Sequence, residues 1–419
     1  MSGDERTAGA STGPTAALRL IGYRNFGPYF VGNAASASGT WFQNLAASIL
    51  VYRLTGSAFL LGVLNFANFV PVLVLAPWAG SVADRFDRRH VLLATQLSAA
   101  ALSAVLAALA WGGEARVWVV IAFALALGVM SAFSAPTSMA LVGGLVPPAH
   151  LGSAVALNSM TFNLARAIGP VLAGVSVGAL GIPASFAINS ASYLLLVLGV
   201  LVVRPAERIR ASRAETRLRE SLRLVRDRPE LLGLLLVVTV VGFGSDPVNT
   251  EAPAFAKAFG RPDTEAGFII GAFGAGAVGA AFLLAGRVTG SRRRMVLTLG
   301  LLGSGMMAFS LVRWLPAGFV LLAVAGFGYL ASNASATSRL QLGVEERHRG
   351  RIMALWSVAF LGLRPAASLL DGAIAGAFGV RAAGVVLALP ALACAAAILA
   401  VPRLLGRYRP ASPSGPRNG

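Results

Sequence analysis

Apolar runs of about 20 residues recur from one end of the chain to the other, broken by short stretches rich in Arg, Gly, Pro and Asp. A run of that length crosses a hydrocarbon layer of about 30 Å at about 1.5 Å per helical residue. The pattern predicts twelve spanning helices, near 26–50, 57–81, 91–111, 116–142, 153–179, 182–203, 231–254, 266–286, 295–312, 316–338, 352–376 and 381–402. In lipid each backbone amide must be paired within its own segment, so the fold class is an all-α membrane protein. The segment 204–230 is the long polar break between spans, and it divides the helices six and six. The expected organisation is a disordered tail over 1–20, a six-helix half over 21–203, a linker over 204–230, a second six-helix half over 231–404 and a disordered tail over 405–419. Within the linker, Leu218, Leu222 and Val225 recur at helical spacing among arginines. That pattern predicts an amphipathic helix on the lipid surface, with docking of a partner as the alternative.

Composition agrees with the pattern, because 56% of the 419 residues are hydrophobic and only 12% are charged. The net charge of +18 would point a soluble chain toward nucleic acid, so the placement of the charges has to decide. They alternate by loop. Arg6, Arg19 and Arg24, then Arg85, Arg88 and Arg89, then nine arginines from Arg204 to Arg228 fall on one side. The same side receives Arg287, Arg292, Arg293 and Arg294, then Arg339, Arg347, Arg349 and Arg351, then Arg403, Arg407, Arg409 and Arg417. The other side holds Arg53, Arg116, Lys257, Arg261, Arg313 and Arg381. This is the positive-inside bias. It predicts a multi-pass protein of a bacterial-type cytoplasmic membrane, both termini in the cytoplasm, whose basic loops meet anionic lipid and not nucleic acid. The first 18 residues lack the apolar region of a cleaved signal, so the first span is expected to direct insertion. Cys394 is the one cysteine and lies in an apolar run, which leaves disulfides no role.

The two halves carry an internal repeat. Laid without gaps at an offset of 198, the 29 residues from Val146 and those from Val344 are identical in ten columns. The matches pair His150 with His348, Gly152 with Gly350, Phe162 with Phe360, Arg166 with Arg364 and Gly174 with Gly372. A second echo links the loop from Gly80 with the loop from Gly286. Partners six spans apart imply two parallel six-helix repeats related by an axis along the membrane normal, with a substrate path between them near midplane.

The loop Gly80-Ser-Val-Ala-Asp84-Arg85-Phe-Asp87-Arg88-Arg89 resembles the signature of the major facilitator superfamily. The resemblance implies that this loop gates the inward side, through Gly80, Asp84, Arg85, Arg88 and Arg89. Its second copy has Gly290 where Asp84 falls. In the fifth span, Arg166-Ala-Ile-Gly169-Pro170-Val-Leu-Ala-Gly174 is similar to part of that superfamily's antiporter motif. Arg24-Asn25-Phe26, Val51-Tyr52-Arg53-Leu54-Thr55-Gly56-Ser57 and Arg349-Gly350-Arg351-Ile352-Met353-Ala354 narrow the resemblance to the exporter branch containing enterobactin and macrolide efflux proteins. It implies a secondary active transporter that works by alternating access, and not an enzyme.

The residues set the candidate chemistry. No nucleophile triad, metal-ligand cluster or phosphate loop is present, so neither cofactor nor metal is expected. Arg166 and Arg364 are charged at membrane depth, where a cation is costly and faces a cavity or a partner. They either receive an anionic cargo, pair with acids, or hold the halves together. Asp246, Glu251 and Asp371 are acids in or near spans, and Asp246 and Asp371 are the candidates for proton coupling, with a helix-end or packing role as the alternative. In span one Asn33, Ser36, Thr40, Trp41, Gln43 and Asn44, and in span four Ser131, Phe133, Ser134 and Thr137, are candidate cavity residues. The family likeness, in which the first, fourth, seventh and tenth spans line the cavity, adds Tyr329 and Asn333; satisfaction of backbone groups is the alternative use for the Ser and Thr residues. The expected function is export of a small amphiphilic molecule, a drug-like natural product or siderophore, by proton antiport, from a monomer. Uptake of a small solute is the alternative, and a non-transporting receptor or scaffold the more distant one.

Overall fold

A computed structural model describes residues 19–204, 225–226, 228–284, 291–344, 352–353 and 355–401. Among these the chain forms α1 (Gly27–Thr55), α2 (Ala58–Arg85), α3 (Arg88–Trp111), α4 (Val117–Leu145), α5 (Leu151–Leu180) and α6 (Ile182–Val202). The second half has α7 (Pro229–Thr250), α8 (Ala266–Leu283), α9 (Arg292–Leu311), α10 (Leu315–Leu342), α11 (Leu355–Phe378) and α12 (Val380–Ala400). Among the described residues eleven helices are long and apolar enough to cross a membrane; α1, at 29 residues, is long enough but more polar. The second basic loop from Gly286 to Gly290, His348 with its neighbours, and the linker residues 205–224 lie outside the described residues, as do residues 1–18 and 405–419 of the two expected tails.

Two spans depart from the expected continuous helix. The seventh ends at Thr250, and after Glu251 a short helix, Ala252–Ala258, continues it. The eleventh opens into a π-helical turn over Val358–Gly362, just before Arg364 and Pro365. Pro365 has no amide to donate and its ring would crowd the carbonyl one turn back, so a wider turn relieves the conflict.

The helices pair twice in the same way. In the first half α2 packs on α4, α1 on α6 and α5, and α3 on α6 and α4. Adding six to each number gives the second half: α8 on α10, α7 on α12 and α11, and α9 on α12 and α10. The reversals between α5 and α6 and between α11 and α12 use Gly181 and Gly379, 198 residues apart, at φ 84° and 88°. A side chain rarely adopts that backbone conformation, so glycine is required in both copies. The halves meet along two seams, α2 against α11 and α5 against α8, which are themselves exchanged by the repeat.

Small residues close both seams. A Cβ added to Gly62 would sit 2.9 Å from the Cα of Gly372, and one added to Gly267 would sit 3.1 Å from the Cα of Gly174. Lipid tails give helices no hydrophobic reason to associate, so close backbone approach of this kind supplies the contact. Both crossings lie toward the face that carries the short α1–α2 and α5–α6 turns, opposite the face where α1 begins and α12 ends. There Arg53, at the end of α1, donates two hydrogen bonds to Asp263, at 2.6 and 2.7 Å. Lys257 lies 5.6 Å from the ring of Tyr52 across the same boundary.

Candidate functional site

The loop residues after α2 act as braces in this structure. Asp87 caps α3, accepting from the amides of Arg89 and His90 at 2.7 and 3.2 Å. Burial pushes its carboxyl up, but those amides and the His90 imidazole outweigh that and leave it below the usual carboxylate value. Arg88 donates to the Ala140 carbonyl of α4, and Arg89 to the Val200 and Leu201 carbonyls that end α6. Cations suit helix C-termini, whose last carbonyls lack partners. In the second half Arg292 does the same for Ile398 and Leu399 of α12. Arg85 is exposed, and the Asp84 side chain lies outside the described set. A Cβ added at Gly80 meets nothing within 4 Å among the described residues.

The antiporter-like segment faces two neighbours. A Cβ on Gly169 would come within 2.8 Å of the Trp41 Cβ on α1, while the Pro170 carbonyl and Gly174 meet Gly267 on α8. One turn before Gly169, Arg166 therefore projects at the join of α1, α5 and the second half. Its guanidinium lies 5.5 Å from the Trp41 ring and 4.8 Å from the Tyr329 ring, and it donates to the Tyr329 hydroxyl at 2.5 Å. The other Nη is buried without a hydrogen-bond partner. Arg364 sits at its repeat position, 7% exposed, over the ring of Phe69 at 4.8 Å. A ring face gives a cation about 0.5–2 kcal/mol. A guanidinium at the bilayer centre costs about 2.5–3.5 kcal/mol, so the rings alone do not settle these charges.

A pocket between the halves joins Trp41, Asn44 and Ser48 of α1, Asn65 and Phe69 of α2, Pro170 of α5, Asn249 of α7, Ile270 of α8 and Arg364 of α11. Aromatic rings extend the wall on both sides, Phe162 edge-on to Trp41 at 6.2 Å and Phe360 stacked on Trp356 at 5.0 Å. Trp41, Asn44, Arg166, Tyr329 and Arg364 of the sequence candidates thus gather at one place, and the Asn333 side-chain oxygen is buried nearby on α10 without a partner. The asparagines Asn65 and Asn249 and the ring of Phe69 were not among those candidates. The signal for them was asparagine, a costly side chain in lipid, within otherwise apolar runs.

Other candidates serve their own half. Ser36 donates to Gln96, and Gln43 accepts from Ser103 and Asn189, all buried within the first half. Thr40 bonds Ser36 and Tyr193. Ser134 and Thr137 turn back to the carbonyls of Ser131 and Phe133 on their own helix. For these side chains a neighbouring polar group is nearer than the cavity, which is how buried hydroxyls and amides are ordinarily satisfied. Asn33 and Phe133 are half-buried.

Behind Arg364 lie the acids. Asp246 accepts from Thr250 at 3.0 Å and from Ser368 at 3.3 Å. Asp371 and Glu251 are fully buried, and none of their carboxyl oxygens has a hydrogen-bond partner. The three acids feel one another's charge, Asp246 also feels Arg364, and Glu251 reaches Tyr52 of the first half. Asp371 shares α11 with Arg364 but forms no ion pair with it; Arg364 is turned toward Phe69 and Asp246 instead. Glu251 completes a set of which the sequence candidates held two members. Among the described residues no group of three His, Cys, Asp or Glu is close enough to hold a metal ion.

Residues 14–409 match the family described as transmembrane secretion effectors. Over 387 residues the chain is 26% identical to the multidrug efflux pump Tap of Mycolicibacterium fortuitum, covering 88% of this chain and 93% of that one. It is 31% identical over 161 residues to the staphyloferrin A transporter of Staphylococcus aureus, but this covers only 38% of the chain and 41% of the relative. In structure it is similar to a bacterial homologue of the human lysosomal transporter Spinster in an inward-facing, occupied conformation, with a TM-score of 0.72 at 14% identity over 94% of this chain and 98% of that one.

Proposed function

The chain belongs to the transmembrane secretion effectors of the major facilitator superfamily, and on that premise we propose that it exports a small amphiphilic molecule by proton antiport. The observation that carries the proposal is the run of buried acids Glu251, Asp371 and Asp246 between the closed seam and Arg364. A carboxyl taken out of water without a cation or donor is costly when ionised, and a proton is the smallest group that removes the cost. Asp246 and Asp371 are the coupling residues, and Glu251 passes the proton between the far face and them. The arginine-rich loops support termini in the cytoplasm of a bacterial-type cell. The face locked by Arg53 and Asp263 is then the outer one, and the conformation described is open to the cytoplasm, ready to take up cargo. Relatives named as a multidrug efflux pump and as a siderophore transporter support a natural product or siderophore as cargo.

The test is cargo movement in inside-out vesicles energised by a pH gradient, with a panel of siderophores, macrolides and cationic dyes. Accumulation that needs an acidic interior supports export by antiport. Accumulation only when the gradient is reversed supports uptake and overturns the proposed direction.

A further inference from the structure

Two guanidiniums from opposite halves flank one pocket: Arg364 lines it, and Arg166 lies 5.5 Å from the ring of Trp41, which also lines it. Among the described residues neither has an ion-paired carboxylate. The one polar partner of Arg166 is a neutral hydroxyl, and one of its Nη atoms is buried with nothing to donate to. Arg364 feels Asp246 but is not ion-paired with it, and that carboxylate accepts from Thr250 and Ser368 instead. Like charges brought together in a water-poor site favour an anion between them, and guanidinium forks suit a carboxylate. The surroundings specify the rest of the ligand. Trp41 with Phe162, and Tyr329 with Phe360, offer ring faces and edges, and Asn65 and Asn249 stand at the pocket wall, each donating one amide hydrogen back to its own helix at Leu61 and Ser245.

We infer that Arg166 and Arg364 form an oxyanion site that holds the carboxylate of an amphiphilic cargo, with the cargo's planar or apolar body against Trp41 and Phe162. The inference rests on the transport reading above and names the substrate class for that cavity. Because the two arginines come from different halves, the anion bridges them and both contribute to its binding. An anionic lipid headgroup carries the same chemistry, and the experiment separates that source from a free amphiphile.

The experiment is equilibrium binding to the purified full chain in uncharged detergent, read by fluorescence anisotropy, with pyrenebutyrate and its uncharged amide as paired probes. The carboxylate is expected to bind at least about tenfold more tightly than the amide, the scale of one charge-assisted hydrogen bond. Arg166→Gln and Arg364→Gln each remove about tenfold of that preference for the carboxylate over the amide. Arg364 is buried and its replacement risks the fold; the half-buried Arg166 and the comparison of probes on the unmodified protein keep the inference testable. Displacement of pyrenebutyrate by phosphatidylglycerol and not by phosphatidylcholine upholds the site and assigns it to a headgroup; displacement by neither upholds it for a free carboxylate. Equal affinity for the two probes, or an unchanged preference in both variants, overturns it. Binding is read without transport, so a failure of export in vesicles leaves this result standing, and the reverse holds too.

Discussion

The two seams between the halves share a frame and differ in chemistry. At α5 against α8, Gly174 meets Gly267, and the residue before Gly174 is Ala173, fully buried. At α2 against α11, Gly372 meets Gly62, and the residue before Gly372 is Asp371, equally buried. The glycines are repeat partners, so are Arg166 and Arg364, and so are Ala173 and Asp371. Repetition has thus kept what geometry requires, the crossing of two helix backbones and a cation eight residues earlier. One copy alone has gained an acid where it has no partner. On the proposed reading, the shared features serve the rocking of the halves, and the unshared one serves the energy source.

The sharpest way to break the comparison is to move the acid. Asp371→Ala should reduce transport driven by a pH gradient to the level of protein-free liposomes while the protein still folds, and adding Ala173→Asp should not restore it. Restoration would mean that the seams are interchangeable.

Next comes the frame itself. Gly372→Leu or Gly174→Leu forces side-chain atoms into a neighbouring backbone and should cost about 1–3 kcal/mol in the closed-seam state, as overpacking does. Both variants should shift the protein toward the opposite conformation. Labelling of cysteines introduced at the outer face reads this shift, and Cys394, buried, leaves a quiet background. A wedge at one seam with no effect at the other would show that only one of them opens.

A smaller effect is expected at the Arg53–Asp263 latch, whose side chains are 45% and 19% exposed. An exposed pair contributes about 0.2–1 kcal/mol. Arg53→Asp should therefore raise outer-face labelling only severalfold, and the double exchange with Asp263→Arg should bring it back. Asp87→Ala should cost about 1 kcal/mol in thermal stability, the usual worth of a helix cap. Because the Asp87 carboxyl sits below its ordinary value, its contribution is full above about pH 4 and is lost as acid carries the pH down through the lowered value.

The frame was legible because lipid imposes it. Length, apolarity and the alternation of arginines locate the helices, and the offset of 198 pairs Gly174 with Gly372, the residues that the structure puts at the two seam crossings. Polar residues in spans were harder to read. Asn44 and Trp41 reach the pocket while Gln43, between them in the same helix, is consumed by Ser103 and Asn189; only the rotation of α1 against α3 and α6 decides which. Glu251 was visible as an acid near a span, but its meeting with Asp371 depends on how α7 breaks after Thr250. Gly80 shows the converse, a glycine whose reason is not contained in this conformation.

The most direct test of the central claim is proton movement evoked by cargo in proteoliposomes, compared among the unmodified protein, Asp246→Asn, Asp371→Asn and Glu251→Gln. The account predicts that cargo drives a counterflow of protons in the unmodified protein, and that Asp246→Asn and Asp371→Asn abolish it while Glu251→Gln slows it. Cargo crossing the bilayer at full rate in all three variants, with no proton movement in any, would contradict it.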